Sequence, residues 1–318
     1  MINSFKNITK IIINKISNKF FSNSIFKRNL DDLKLQNGQL FSFFLKTRLE
    51  TIKNLDELSF KVFSQNNEDA ILEYLILSLK INDIKFVEIG TEDYSESNTR
   101  FIYEKYNCDG LIIDNTKNLL SKVSKQLHIW KGNLAIEENV VDKKNIKSLL
   151  SKHSFDNEID IFSIDIDGVD YWIIKELPDQ ISKIFVAEYN PYFGSNLEIT
   201  VPYLEEFNRS KYHESNLCWG MSLKALINLM LSKGFRFIGS NSLRNNAFFI
   251  KNEYLNQLPL DKIDINNLNN FTNARYRENR NKDGKLLLTN PDQNLKVIKD
   301  CNVLNLKTNK ICKIEELI

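Results

Sequence analysis

Short apolar segments alternate with helical patterns through the middle of the chain. The segments that predict strands are residues 85–90, 110–114, 127–130, 159–167, 183–188, 235–239 and 246–250. Helical patterns lie at about 68–80, 97–107, 117–125, 142–152 and 221–233. This alternation predicts βαβ crossovers and a parallel sheet covered on both faces. The last two segments are separated by a short turn, which predicts an antiparallel pair at the sheet edge.

The pattern therefore predicts an α/β Rossmann-like fold, with a mostly parallel seven-stranded sheet and an antiparallel edge. We expect this domain to occupy residues 60–255. Residues 1–59 are predicted as a helical N-terminal extension, and residues 256–318 as a C-terminal extension with one or two late strands. A chain of 318 residues, 42% of them hydrophobic, is long enough for this arrangement.

Composition argues against several classes of protein. The net charge is +2, so a nucleic-acid partner is not expected. The four cysteines are scattered and the three histidines lack metal-ligand spacing, which favours a cytoplasmic protein without disulfides or zinc. No apolar segment reaches the roughly 18–20 residues that span a bilayer.

The first 30 residues are basic and amphipathic. They contain six lysine or arginine residues and no acidic residue. Apolar positions recur with helical spacing at Ile2, Phe5, Ile8, Ile12, Ile16 and Phe20. Two interpretations stay open: a helix docked on the domain, which the general rule favours, and peripheral contact of residues 1–30 with an anionic membrane.

Ligands of open α/β sheets bind outside the carboxyl ends of the strands, so the candidate site lies there. Glu88, Gly90 and Glu92 surround the end of the first predicted strand, where glycine lets backbone approach a ligand. Asp114 ends the second strand, where an acid can accept hydrogen bonds from both ribose hydroxyls of a nucleotide. Aspartate is also a common helix cap, so both roles stay open for Asp114.

Polar side chains also follow the fourth and fifth predicted strands. Asp165 and Asp167 share one face of their strand, and Glu188 and Asn190 share one face of the next. Neighbouring strands lie about 4.8 Å apart, so these groups can converge on one crevice. We favour a functional site over a set of turn and helix caps, because acidic residues seldom end buried strands without a functional role. A divalent cation with oxygen ligands from Asp165, Asp167 or Glu188 is an open alternative.

His213 lies in a polar stretch between the fifth strand and the last helical pattern. A histidine pKa suits general-base catalysis near neutral pH. A single loop histidine is more often a surface residue, so both interpretations stay open.

The ordered set of motifs resembles the FkbM-like methyltransferases, and a bacterial subgroup of them most closely. The Ser-Gln-x-x-Glu-Asp pattern at 64–69 is similar to their opening motif. Residues 86–99, 110–114, 162–171 and 186–190 resemble their motifs at the first, second, fourth and fifth strands. The resemblance covers about residues 60–280. The chain departs from the family at Tyr94 and Asn67, where glycine is usual.

The resemblance implies a class I methyltransferase fold and an S-adenosylmethionine-dependent O-methyltransferase. The implied acceptor is a hydroxyl of a sugar, polysaccharide or natural-product-like small molecule. The implied cofactor-binding residues are Glu88, Gly90 and Glu92 beside the methionine and adenosine, Asp114 at the ribose and Asp165 at the methionine amine. The candidate bases are His213 and Asp167, with Glu188 and Asn190 positioning the acceptor.

Two other functions stay open. The sequence Asn190-Pro191-Tyr192 is similar to a loop of amino-group methyltransferases. Tyr94, in place of the usual glycine, favours a non-catalytic binding or scaffold protein built on the same fold.

Overall fold

The computed structural model describes residues 24–157, 159–290 and 293–318, and a seven-stranded sheet forms its centre. The strands are β1 (Lys85–Ile89), β2 (Asp109–Asp114), β3 (Asn133–Glu138), β4 (Ile159–Ile164), β5 (Ser182–Glu188), β6 (Ile199–Thr200), β7 (Phe235–Ser240), β8 (Asn246–Lys251), β9 (Asn302–Asn305) and β10 (Lys310–Lys313). The order in the large sheet is β3-β2-β1-β4-β5-β8-β7.

Strands β1 to β5 of this sheet run parallel, and β8 runs antiparallel to both β5 and β7. The predicted Rossmann-like class I methyltransferase fold, with seven strands and an antiparallel edge, is confirmed. The parallel register has one consequence for function: it brings the carboxyl ends of β1, β2, β4 and β5 to the same edge of the sheet.

Helices cover both faces of the sheet. They are α1 (Ser24–Lys46), α2 (Glu68–Ser78), α3 (Arg100–Tyr106), α4 (Leu119–Gln126), α5 (Ile146–Lys152), α6 (Asp170–Glu176), α7 (Arg209–Tyr212), α8 (Leu223–Ser232), α9 (Asn269–Thr272) and α10 (Asn294–Val297). Side chains alternate along each strand, so Phe86 packs with α1 to α4 while Val87 packs with α5, α6 and α8. Burial on both faces explains why the inner strands are almost continuously apolar.

The prediction for the third strand is wrong. Residues 127–130 are predicted as a strand, but β3 begins at Asn133 and pairs with β2. Leu127 instead ends α4, and Trp130 is 76% exposed in the following turn. Strand β3 lies at the edge of the sheet and is mostly half-buried, so its sequence does not show the apolar run of an inner strand.

The C-terminal segment folds together with the connection between β5 and α8. Strand β6 of that connection pairs with β9, and β9 pairs with β10. Side chains from both segments form one apolar cluster: Tyr192, Phe193, Ile199, Leu217, Ile298, Val303 and Ile314. This packing places residues from distant parts of the chain above the ends of β4 and β5.

Helix α1 packs one stripe of residues on the domain. The buried positions are Asp31, Leu35, Gly38, Ser42 and Leu45. Asp31 forms a 2.7 Å ion pair with the buried guanidinium of Arg100, which also bonds Glu104 at 2.8 Å. Residues 1–23 lie outside the described part of the chain. The structure therefore does not test the prediction for most of the basic segment, residues 1–30. No helix in the described ranges is long and apolar enough to cross a bilayer.

Candidate functional site

One cavity of about 770 Å³ opens at the carboxyl ends of the central strands. Its wall contains seven of the predicted site residues: Glu88, Gly90, Glu92, Asp114, Asp165, Asp167 and Glu188. The topology of the sheet therefore brings together residues as far apart in the sequence as Glu88 and Glu188. Asn190 and His213 are absent from this wall.

Glu88 anchors the loop that leads into α3. Its carboxylate accepts hydrogen bonds from Ser97 Oγ at 2.6 Å and from the backbone N–H groups of Asn98 and Thr99 at 2.8 and 2.9 Å. The Thr99 hydroxyl also donates to it. Burial raises the pKa of Glu88, and these donors oppose that shift. Glu88 thus holds the shape of the loop on the cavity wall.

Gly90 allows the ends of β1 and β4 to meet. Its φ is +84°, a left-handed conformation that favours glycine, and a Cβ there would lie 1.6 Å from the carbonyl oxygen of Asp165. The N–H of Gly90 donates to the Ile113 carbonyl at 3.0 Å, and the N–H of Asp165 donates to Ile89 at 3.0 Å. A side chain at position 90 would therefore push apart the ends of β1 and β4, which form the base of the cavity.

The two departures from the resembled family leave the cavity open. Tyr94 has φ +63°, the left-handed backbone that glycine would adopt easily. Its ring is fully buried beneath the loop, and its hydroxyl lies 2.9 Å from Thr99 Oγ1, outside the cavity wall. Asn67 accepts from the Ser242 N–H at 2.8 Å and donates to the Leu58 carbonyl at 2.6 Å, bonds that glycine cannot make.

Asp114 joins the loops that follow β1 and β2. Its Oδ2 accepts the N–H of Glu92 at 2.8 Å, and its Oδ1 accepts the N–H of Thr116 at 2.7 Å. Each carboxylate oxygen has two lone pairs, so both can accept one further hydrogen bond. The carboxylate is half-buried on the cavity wall, where a diol can reach it.

The loop after β4 is shaped by an acid that faces away from the cavity. Asp170 begins α6 and accepts the N–H groups of Ile166 and Gly168 at 3.0 and 3.1 Å. Burial raises its pKa to about 6, against the effect of these hydrogen bonds. The loop turns through Asp167 at φ +54°, so Asp165 and Asp167 both reach the cavity.

Three carboxylates meet at the ends of β4 and β5. Oxygen atoms of Asp165, Asp167 and Glu188 all lie within 4.8 Å of one another. Burial, followed by repulsion between the carboxylates, raises the pKa of Asp165 and of Glu188. Arg209 pairs with the exposed Asp167, and a proton shared by Asp165 and Glu188, or a bound cation, would compensate the remaining charge. The oxygen ligands of the three carboxylates suit Mg²⁺, Mn²⁺ or Ca²⁺.

Residues that sequence reasoning missed line the cavity near the ends of β4 and β5. Arg209 of α7 bonds Asp167 and donates to Glu278 Oε2 at 2.6 Å. Tyr276 and Glu278 come from the C-terminal segment and line the cavity with Arg209. The resemblance extends through residues 274–278, and this is the one sequence signal that pointed to them.

His213 and Asn190 stabilise the polypeptide segments that lie over the cavity, and neither residue is part of the cavity wall. His213 Nδ1 bonds Ser215 Oγ at 2.7 Å, and Nε2 lies 3.3 Å from Asp300. Its hydrogen bond with Cys301 contributes most to raising its pKa. Asn190 is fully buried, and its Nδ2 donates to two backbone carbonyls, those of Leu217 and Trp219, at 2.8 and 2.9 Å. The structure therefore does not support direct contact of these two residues with a ligand in the cavity.

Five buried polar atoms of residues on the cavity wall have no hydrogen-bond partner within the described residues. They are Thr91 Oγ1, Glu188 Oε2, Asn246 Oδ1, the Tyr276 hydroxyl and Glu278 Oε1. Buried polar atoms almost always find partners, because leaving one unpaired costs about 1–3 kcal/mol. These five atoms therefore make the layer directly behind the cavity wall polar as well.

Comparisons with known proteins returned solved structures alone; no family model and no curated protein matches this chain. An S-adenosylmethionine-dependent methyltransferase from Clostridium acetobutylicum ATCC 824 is similar at 8% identity over 58% of this chain and 90% of that chain, with a TM-score of 0.39. An O-methyltransferase family protein from Burkholderia thailandensis is similar at 11% identity over 68% and 70%, with a TM-score of 0.34. TrmK of M. capricolum with S-adenosyl-homocysteine is similar at 14% identity over 60% and 70%, with a TM-score of 0.32. Because these sequence identities and TM-scores are low, the fold is assigned from the strand order of the sheet and not from these similarities.

We predict that Gly90→Ala lowers the free energy of unfolding far more than Gly284→Ala. Gly284 also has a positive φ of +74°, but a Cβ there meets nothing within 4 Å. The control should lose about 1–2 kcal/mol from left-handed strain alone, and Gly90→Ala about 1–3 kcal/mol more from the collision with Asp165. Urea unfolding measures both. Equal losses would contradict the close approach of β1 and β4.

Proposed function

We propose that the chain is an FkbM-like, S-adenosylmethionine-dependent O-methyltransferase acting on a hydroxyl of a sugar, polysaccharide or natural-product-like acceptor. The observation that carries this proposal is the grouping of Glu88, Asp114, Asp165 and Glu188 on the wall of one cavity, at the carboxyl edge of a methyltransferase-type sheet.

The wall beside β1 and β2 fits the cofactor. Asp114 keeps one acceptor position on each oxygen, which suits the two adjacent hydroxyls of a ribose. Thr91 and the half-buried Gly90 also line this wall. Val140 and Val141, which follow β3, supply an apolar wall suited to a purine ring.

The wall beside β4 and β5 fits the acceptor. Bound S-adenosylmethionine supplies a methyl group on a sulfonium, which is already activated for transfer. The chain then needs to align a hydroxyl with it and to remove the hydroxyl proton. We assign proton removal to Glu188, which lines the cavity beside Asp165 and Asp167. Arg209 fixes Asp167 beside it and so limits the orientation of the acceptor.

We predict that Asp114→Asn weakens binding of S-adenosylhomocysteine by about tenfold or more, because charge-assisted hydrogen bonds to the ribose are lost. Asp109 begins the same strand at its opposite, exposed end, so Asp109→Asn is the matched control and should bind like the wild type. Isothermal titration of the full chain measures both constants. Equal affinities for the two variants, or no binding by the wild type, would remove the proposed cofactor site.

We predict that Glu188→Gln lowers kcat by about 10²–10⁴, the usual contribution of a general base. The base must be ionised, and the pKa of Glu188 lies above its usual value of 4.5. The wild-type rate should therefore rise with pH through that raised pKa and level off above it. Glu176→Gln is the control, since Glu176 is an exposed residue paired with Lys147. A wild-type pH profile retained by Glu188→Gln would exclude Glu188 as the base.

Formation of S-adenosylhomocysteine with a panel of acceptors tests the transferred group. We expect turnover with neutral oligosaccharides and nucleotide sugars that carry hydroxyls only. Turnover restricted to amino sugars would instead establish an amino-group methyltransferase. Binding of S-adenosylhomocysteine without turnover of any acceptor would favour the binding or scaffold alternative.

A second arrangement of the three carboxylates uses a divalent cation beside the acceptor. The unpartnered Oε2 of Glu188 favours it, together with the 4.8 Å grouping of the oxygens. Paramagnetic resonance of Mn²⁺ added to the full chain should then show bound ion, and Asp165→Asn should abolish it. Absence of bound Mn²⁺ in the wild type would leave the cluster to proton transfer alone.

A further inference from the structure

Helix α1 carries a second stripe of side chains, on the side that faces away from the domain. Leu30, Leu33, Leu40 and Phe44 are 44%, 56%, 53% and 56% exposed, and Asn37, which lies in line with them, is exposed as well. We call these five residues the outer stripe of α1. Single exposed apolar residues are ordinary, but four in one line on one helix form a patch that requires a partner.

The outer stripe follows the spacing of a coiled coil. Its members are separated by three, four, three and four positions, and Phe26 and Thr47 continue the same alternation at either end. Positions a and d of the seven-residue coiled-coil repeat alternate in this way. The a positions are then Leu30, Asn37 and Phe44, and the d positions are Leu33 and Leu40.

Asn37 indicates which partner fits. Leucine at the d positions together with a single asparagine at an a position favours two parallel helices, because the asparagine specifies the register and the number of helices at a cost in stability. In such a pair the two Asn37 side chains face each other and can share a hydrogen bond. Against a wholly apolar surface, the amide would lose its hydrogen bonds to water without replacement. A second copy of this chain is therefore the partner that the outer stripe fits.

The outer stripe carries no charge. No charged residue of α1 lies on the stripe itself or at positions 29, 36 and 43 along one side of it. The two lysines along its other side are held toward the domain: Lys27 Nζ donates to Gln126 Oε1 at 2.9 Å, and Lys34 Nζ lies 3.6 Å from Asp31. Two copies of the stripe therefore meet without repulsion between like charges across the contact.

The domain-facing side of α1 is fixed by buried polar contacts. Asp31 pairs with the buried Arg100 at 2.7 Å, and Ser42 donates a hydrogen bond to the buried Glu73. Turning the helix to bury its outer stripe would break both contacts, which is costly for buried charges. The outer stripe therefore stays on the surface of a single chain.

The exposed apolar area suffices for a specific contact. A half-exposed leucine or phenylalanine still presents about 100 Å² of side chain. With Phe43, which is 64% exposed beside the stripe, each copy contributes five such side chains. Two copies would bury about 1,000 Å² through these side chains, which is about the size that a specific interface needs.

We propose that the outer stripe of α1 binds the outer stripe of a second copy of the chain, as two parallel helices in register at Asn37. The two domains then lie on opposite sides of the helix pair, because the buried stripe of each helix faces away from the partner. This proposal is independent of the methyl-transfer proposal.

Sedimentation equilibrium of the full chain tests the proposal. The test variant combines Leu33→Asn, Leu40→Asn and Phe44→Asn. The control combines Leu120→Asn and Ile311→Asn, which change apolar residues of similar exposure, 56% and 62%, away from α1. We expect the wild type and the control to be dimers, and the Kd of the test variant to rise at least about tenfold. Circular dichroism and thermal unfolding check that both variants remain folded.

Cross-linking through one introduced cysteine tests the register. In parallel helices aligned at Asn37, the two residues at this a position are in contact, so Asn37→Cys should form a disulfide between copies when diamide is added. Gln39→Cys is the control, since Gln39 is exposed on α1 but lies away from the outer stripe. The wild type, treated in the same way, shows any contribution of the natural cysteines. Non-reducing electrophoresis measures the cross-linked fraction.

Three outcomes would overturn the proposal. A wild type that remains a monomer at about 100 μM would exclude the second copy as the partner. A test variant that dimerises as tightly as the wild type would place the contact elsewhere on the chain. Equal cross-linking of Asn37→Cys and Gln39→Cys in a wild-type-like dimer would exclude the parallel register.

Discussion

The close approach of β1 and β4 at Gly90 is the constraint on which the site depends. The backbone carbonyl oxygen of Asp165 occupies the space that a side chain at position 90 would fill. The ends of the two strands therefore lie together, and the loops that follow them are held by short hydrogen bonds such as Asp114 to Glu92, 2.8 Å. Without this approach, the acids at the strand ends would lie on separate walls.

The acids around the cavity divide into two groups by their hydrogen bonds. Glu88, Asp69 and Asp170 are buried acceptors whose donors are mostly backbone N–H groups of nearby loops; Asp69, for example, accepts from residues 62, 63 and 64 at 2.7–2.9 Å. They shape the loops. The half-buried Asp165 and the buried Glu188 lie close to each other on the cavity wall, and loop N–H groups of the described residues do not bond their side chains, so this second group is available for chemistry.

The sequence predicts the mostly parallel sheet and the shared edge at which most of the candidate residues lie, because both follow from one rule: parallel strands end at one edge of the sheet. It does not predict β3, since an edge strand lacks the apolar run of an inner strand. The sequence suggests a catalytic role for His213 and Asn190. In the structure, however, His213 lies beside Asp300, and Asn190 donates hydrogen bonds to two backbone carbonyls. Arg209 and Tyr276 reach the cavity through packing between distant segments, for which no local pattern exists.

Hydrogen–deuterium exchange of the full chain with and without S-adenosylhomocysteine tests the central claim most directly. If the strand ends form one nucleotide site, amides at residues 90–98, 113–117 and 138–141 should be protected together at the same ligand concentration. These loops follow β1, β2 and β3 and share the cavity wall. Protection of one loop alone, or of none, would contradict a single site at this edge of the sheet.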